Sequence, residues 1–150
     1  MHDPSPSRSR VPPPALTDFP DRTTHTIRHG DLDAQRHVNN TVFASFFESG
    51  RVQLIRHPEQ GLHVPGTTFV LARTEIDFLR ELHYPGTVEI GTGIAQIGRT
   101  SFTFAHALFD GGLCAATGRA TMVLIDADTR RSRPLPDDLV ARLRRWAVAG

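Results

Sequence analysis

Between Asp33 and Asn40 the chain sets a carboxylate, an imidazole and two amides close together: Asp33-Ala34-Gln35-Arg36-His37-Val38-Asn39-Asn40. An apolar pattern with helical spacing begins directly afterwards. A polar, turn-prone segment that runs into a helix start presents backbone N–H groups with no intrahelical acceptor. A carboxylate beside such donors is the outline of a hydrolytic site. The carboxylate acts as base or nucleophile, and the N–H groups stabilise an oxyanion. The competing reading of Asp33 is a turn cap, a task that Asp favours. His37 reads as a second acid/base group or as a brace that orients the loop through a backbone carbonyl. Asn39 and Asn40 read as helix caps and loop braces, or as amides facing a substrate.

The elements that must hold this segment are legible around it. Arg22 to His29 alternates as a strand, with His25, Ile27 and His29 on one face. After the loop, Val42, Phe43, Phe46, Phe47, Gly50, Leu54 and Ile55 recur at helical spacing, and Pro58 ends the run. Glu48 and Arg51 lie three apart on the flank of this stripe. They read as an ion pair, or Glu48 as a catalytic acid. Four strands follow, at Thr68–Leu79, Thr87–Ile97, Ser101–Phe109 and Leu113–Asp126. The expected links are a type II turn at Tyr84-Pro85-Gly86, Gly98-Arg99-Thr100, and a hairpin at Asp110-Gly111-Gly112. A short helix opens at Pro136-Asp137-Asp138. Val70, Ala72, Thr74, Ile76 and Phe78 are expected on one face. The pattern predicts an α+β domain, a long curved antiparallel five-stranded sheet wrapped around one central helix, its last four strands a meander, with an open edge that favours self-association.

Composition narrows the function classes. The length of 150 residues suits one core, and a net charge of +1 gives no case for nucleic acid. Lys is absent, so all 17 basic residues are Arg, spread along the whole chain. Six of the 11 prolines fall in residues 1–20, read as a disordered Pro/Ser/Arg-rich arm ahead of a domain over 21–150. Neither a membrane-spanning run nor a secretory signal is read, so the expected compartment is the cytoplasm. The single Cys114 sits in an apolar strand and reads as a small buried residue. His25 and His29 lack a third ligand, and no metal or cofactor is expected. His106, among Phe102, Phe104 and Leu108, reads as a satisfied core or interface histidine. Gly91-Thr92-Gly93 lies within a strand, so it reads as a close-packing point or as room for a ligand.

Asp33, then three residues, then His37-Val38-Asn39-Asn40, followed by Phe43, Phe46-Phe47, Glu48 and Arg51, resembles the hotdog-fold acyl-CoA thioesterases of the 4-hydroxybenzoyl-CoA thioesterase group. The resemblance covers roughly residues 22 to 140. It implies a hotdog fold, with Asp33 as the catalytic carboxylate and the backbone N–H of Asn40 or Asn39 polarising the thioester carbonyl. It implies CoA contact by Arg99, Thr100 and Ser101. Phe43 stands where the family commonly has Tyr, so it lines the substrate site without a polar role.

The expectation is hydrolysis of a fatty or aromatic acyl-CoA to free acid and CoA, with the acyl chain beside the buried helix. The expected partners are the acyl-CoA and further copies of the chain, as a dimer or tetramer. The alternatives are a hydratase or dehydratase on the same fold, and a non-catalytic acyl-CoA-binding domain.

Overall fold

The computed structural model describes residues 12–149. In chain order the main elements are β1 (Asp21–Ile27), α1 (Asn40–Ile55), β2 (Thr67–Phe78), β3 (Gly86–Ile97), β4 (Ser101–Asp110), β5 (Leu113–Asp126) and α2 (Asp137–Arg145). The side-chain oxygen of Asn39 accepts from the Thr41 N–H at 3.0 Å, so Asn39 is the N-cap of α1. The apolar stripe does what its spacing demands. Phe43, Phe46, Phe47, Gly50 and Leu54 are buried, and the helix lies against β1, β3 and β4.

One antiparallel sheet holds all five strands in the order β1-β3-β4-β5-β2. The expected meander is therefore correct for β3-β4-β5 and wrong for β2. No hairpin turn at Tyr84-Pro85-Gly86 joins β2 to β3, because the two are not neighbours. β1 already occupies the free edge of β3, pairing Asp21 with Thr92 through Ile27 with Gly86. The edge left for β2 is that of β5, a strand long enough to match it. Residues 79–85 consequently cross from the edge strand β2 past β5 and β4 to β3.

A register shift between Leu71 and Arg73 also breaks the expected alternation in β2. Val70 pairs with Val123, whereas Thr74, Ile76 and Phe78 pair with Ala120, Gly118 and Ala116. Val70 thus shares no face with Thr74, Ile76 and Phe78.

Of the arm read over 1–20, residues 1–11 lie outside the described residues. The part that follows is packed. Leu16–Asp18 forms a 3-10 turn, and Phe19 is buried against Ala107 and Phe109 on the outer face of the sheet. A Cβ at Gly91 would come within 2.6 Å of the Phe19 ring, and one at Gly93 within 2.6 Å of Val148. Both glycines therefore serve close packing. Beyond the last β1 pair, the chain's C-terminal segment takes the edge of β3: Ile94 N–H donates to Trp146 O at 2.7 Å, and Val148 N–H to Ile94 O at 3.0 Å.

The helix–sheet seam contains a polar row. Thr92 pairs with His106, and His106 with Gly118, across three strands. Thr92 is 1% and His106 2% exposed, and neither the Thr92 hydroxyl nor either His106 ring nitrogen has a partner among the described residues. His106 is in the core as expected, but it is not satisfied. Its ring lies between Phe47 and Phe104, with centroids 4.9 and 5.8 Å away. Burial, and secondarily the Arg51 charge, push its pKa down to about 3. Burial also pulls the Arg51 guanidinium below its ordinary value, partly offset by Glu48.

Candidate active site

The loop between β1 and α1 is held by its own polar groups. The buried carboxylate of Asp31 accepts from the Arg28 N–H at 2.7 Å and from the Arg28 guanidinium at 3.1 Å. The Asp31 carbonyl accepts from the Asn39 N–H at 2.9 Å, tying the loop entrance to the helix cap.

Asp33 closes the next turn. Its Oδ1 accepts from the N–H groups of Gln35 and His37 at 2.8 and 3.1 Å. The Asp33 N–H donates to the His37 carbonyl at 2.8 Å. Arg36 takes a left-handed φ of 64° to complete this loop. Such a conformation costs roughly 1–2 kcal/mol in a non-glycine residue. Asp33 is thus the turn cap that its residue type suggests. That role uses Oδ1, while Oδ2 has no partner among the described residues.

A cavity of about 390 Å³ opens at this carboxylate. Asp33, His37, Asn40 and Phe43 line it from the loop and α1, and Phe78, Leu79, Arg80 and Glu81 line it from the end of β2 and the crossover. Asn40 begins α1, where a backbone N–H has no intrahelical acceptor. Phe43 is buried, with its ring 5.1 Å from that of Phe78. Asn39 is engaged as the cap.

The crossover supplies residues that the motif does not contain. The Val38 N–H donates to Leu82 O at 3.0 Å, and His37 forms a bridge with His83. His37 Nε2 lies 3.3 Å from a Glu81 carboxylate oxygen, and His83 Nε2 lies 3.8 Å from the same oxygen. Glu81 and His83 are polar residues in a turn-like link, and nothing local marks them. Asp31 does have a local signal, its i,i+3 spacing from Arg28 around His29-Gly30.

Other expected site residues lie elsewhere. Glu48 is exposed and lines a different cleft with His25 and Gln53. Arg99, Thr100 and Ser101 lie at the β3–β4 turn, the far end of β3 from the Asp33 loop. A strand of that length spans about 35 Å. One chain does not bring them to Asp33. His25 packs on Phe46 and His29 on Tyr84, so the two histidines have separate surroundings. Cys114 is half-buried. Burial raises its thiol pKa, and Sγ sits 3.5 Å from the Ala116 carbonyl, which makes it a poor nucleophile. Among the described residues no helix is long and apolar enough to cross a membrane.

A five-stranded antiparallel sheet with one long helix against it and a short helix after it is the hotdog arrangement. The family model of the thioesterase-like superfamily matches residues 27–143. The chain belongs to that superfamily, and its class is thioester hydrolase. It is 22% identical over 122 residues to the acyl-CoA thioester hydrolase YbgC of Escherichia coli O6:H1, covering 79% of this chain and 91% of that one. It is 31% identical to a predicted thioesterase from Bacillus stearothermophilus, with a TM-score of 0.77 over 86% of this chain and 97% of that one. It is 32% identical to a thioesterase from Thermus thermophilus solved with coenzyme A and Zn, with a TM-score of 0.75 over 86% of this chain and 95% of that one.

Proposed function

We propose that this chain hydrolyses acyl-CoA thioesters, fatty or aromatic, and that Asp33 is its catalytic carboxylate. The observation that carries this reading is the division of labour on Asp33: Oδ1 holds the loop, Oδ2 has no partner among the described residues, and Asp33 lines a cavity that Asn40 also lines. As base, Asp33 takes a proton from water while the oxygen attacks the thioester carbonyl. As nucleophile, it forms an anhydride that water then opens. In both routes the Asn40 N–H faces the developing oxyanion, and CoA leaves as a thiolate that takes up a proton. Such a donor contributes about 3–4 kcal/mol in comparable acyl-transfer sites.

His37 orients the loop, with Glu81 beside its ring, and Asn39 caps the helix. The motif from Asp33 to Asn40 supports membership of the Asp-x3-His-Val-Asn-Asn subgroup. CoA binding finds support in the Thermus relative solved with coenzyme A. Arg99, Thr100 and Ser101 reach a bound CoA only if a second copy of the chain presents them. The open edge of β2, with Leu71 and Phe78 exposed, supports such self-association.

Asp33→Asn is the test. Asn keeps an oxygen for the Gln35 and His37 N–H groups, so the loop is retained. Loss of the carboxylate lowers turnover of an acyl-CoA panel about 10²–10⁴-fold in a free-thiol assay. Wild-type rates in the variant would remove Asp33 from the mechanism.

A further inference from the structure

Two of the hydrogen bonds that fix Asp33 run to the backbone of one residue, His37. Its N–H donates to Asp33 Oδ1 at 3.1 Å, and its carbonyl accepts from the Asp33 N–H at 2.8 Å. A shift of His37 therefore moves the carboxylate. The turn between them passes through Arg36 at a φ of 64°, a conformation that a non-glycine residue does not favour by itself. The loop needs support from outside, and the crossover supplies it.

Side-chain alternation in extended backbone decides which residues give that support. His37 and His83 form an antiparallel bridge, and the Val38 N–H donates to Leu82 O at 3.0 Å. Val38 and Leu82 are both buried in the same apolar cluster. Their neighbours His37, Glu81 and His83 then share the opposite side. Across an antiparallel pair, the residue two positions from the facing one is a diagonal neighbour, within reach of a long side chain. Glu81 stands in that relation to His37. Its Oε2 lies 3.3 Å from His37 Nε2 and 3.8 Å from His83 Nε2, and the two rings meet edge to face with centroids 5.2 Å apart. One carboxylate is thus held between two imidazoles, at the wall of the Asp33 cavity.

We propose that Glu81 is a positioning residue for Asp33, acting through the His37 ring and then through the His37 backbone. The proposal rests on the reading of Asp33 as catalytic carboxylate and deepens it. Glu81 is 64% exposed, and an exposed ion pair adds little to the stability of a fold. Its effect falls on the geometry of the loop instead. A displacement of about 1 Å at a catalytic group costs as much as about 10²-fold in rate.

The experiment measures kcat, KM and Tm for Glu81→Ala and Glu81→Gln, with the acyl-CoA that the wild type turns over fastest. Glu81→Ala loses about tenfold in kcat, with KM and Tm held. Glu81→Gln keeps an oxygen at the same place and recovers part of that loss. In an Asp33→Asn background Glu81→Ala costs nothing further, because no carboxylate is left to place. An unchanged kcat in Glu81→Ala, an equal loss in the Asp33→Asn background, or a Tm that falls along with the rate overturns the proposal. Amide hydrogen exchange reads the clamp without turnover: Glu81→Ala speeds exchange of the His37 N–H and leaves α1 unchanged. If the wild type hydrolyses no acyl-CoA, or Asp33→Asn is as fast as the wild type, the reading of Asp33 fails, and exchange alone then decides the clamp. Unchanged exchange at His37 overturns it even then.

Discussion

Acidification should destabilise this protein through one side chain, His106. In the folded state its ring is buried between Phe47 and Phe104, with no hydrogen-bond partner among the described residues, and its pKa is pushed down from 6.5 to about 3. Unfolding returns it to its ordinary value. Between these two values the unfolded chain binds the extra proton and the folded chain does not. Stability is therefore flat above the unfolded pKa and falls as the pH drops below it, by up to about 1.4 kcal/mol per pH unit. At about pH 5 the loss relative to about pH 8 is about 2 kcal/mol from this group alone. That is a sizeable part of the 5–15 kcal/mol that holds a typical domain folded. Urea denaturation at the two pH values reads it as a midpoint shift of about 1 M. His106→Phe supplies the control. It keeps a planar ring between the two phenylalanines and cannot take up a proton. Seven other histidines remain in both proteins, so the difference between their pH slopes isolates His106. Equal acid losses in wild type and variant would refute the reasoning.

Two further outcomes follow from the packing. Thr92→Val keeps the shape of a buried residue and removes a hydroxyl without a partner, so the variant should gain about 1 kcal/mol, read as a rise in Tm of about 2–4 °C. A fall in Tm would mean that the hydroxyl is satisfied. Phe19→Ala should cost about 3–5 kcal/mol by chemical denaturation, because Phe19 fills the space above Gly91. A loss below about 1 kcal/mol would show that the preceding segment is a dispensable tail.

What the sequence made legible was local. Asn39 as cap, the Phe stripe of α1 and the extents of the strands follow from spacing and turn chemistry, which act over a few residues. The partner of β2 does not. Neighbours in sequence usually pair, but here β1 had already taken the edge of β3, and the strand went to β5 instead. The shift between Leu71 and Arg73 likewise leaves no mark in a pattern of alternating apolar residues. The site divides the same way. The turn around Asp33 is encoded by residues within four positions of it. Glu81 and His83 arrive through the crossover and Phe78 from the end of β2, and only the strand order brings them to the loop. The distance from Arg99 to Asp33 was not read from the pattern; it follows from the length of β3, since each strand residue carries the far turn further away.

The outer face of the sheet is closed by the two ends of the described chain together. Phe19 lies above Gly91, Val148 packs on the same face, and the Ala149 N–H donates to Asp18 O at 2.9 Å. During synthesis Phe19 leaves the ribosome early, whereas Trp146 to Ala149 leave more than a hundred residues later. Until then Phe19 has no C-terminal strap beside it, and the edge of β3 past Thr92 has no strand to pair with. A later segment thus seals an earlier one, and a nascent chain that has not yet reached Trp146 presents both an uncovered aromatic and an unpaired strand edge to whatever is nearby.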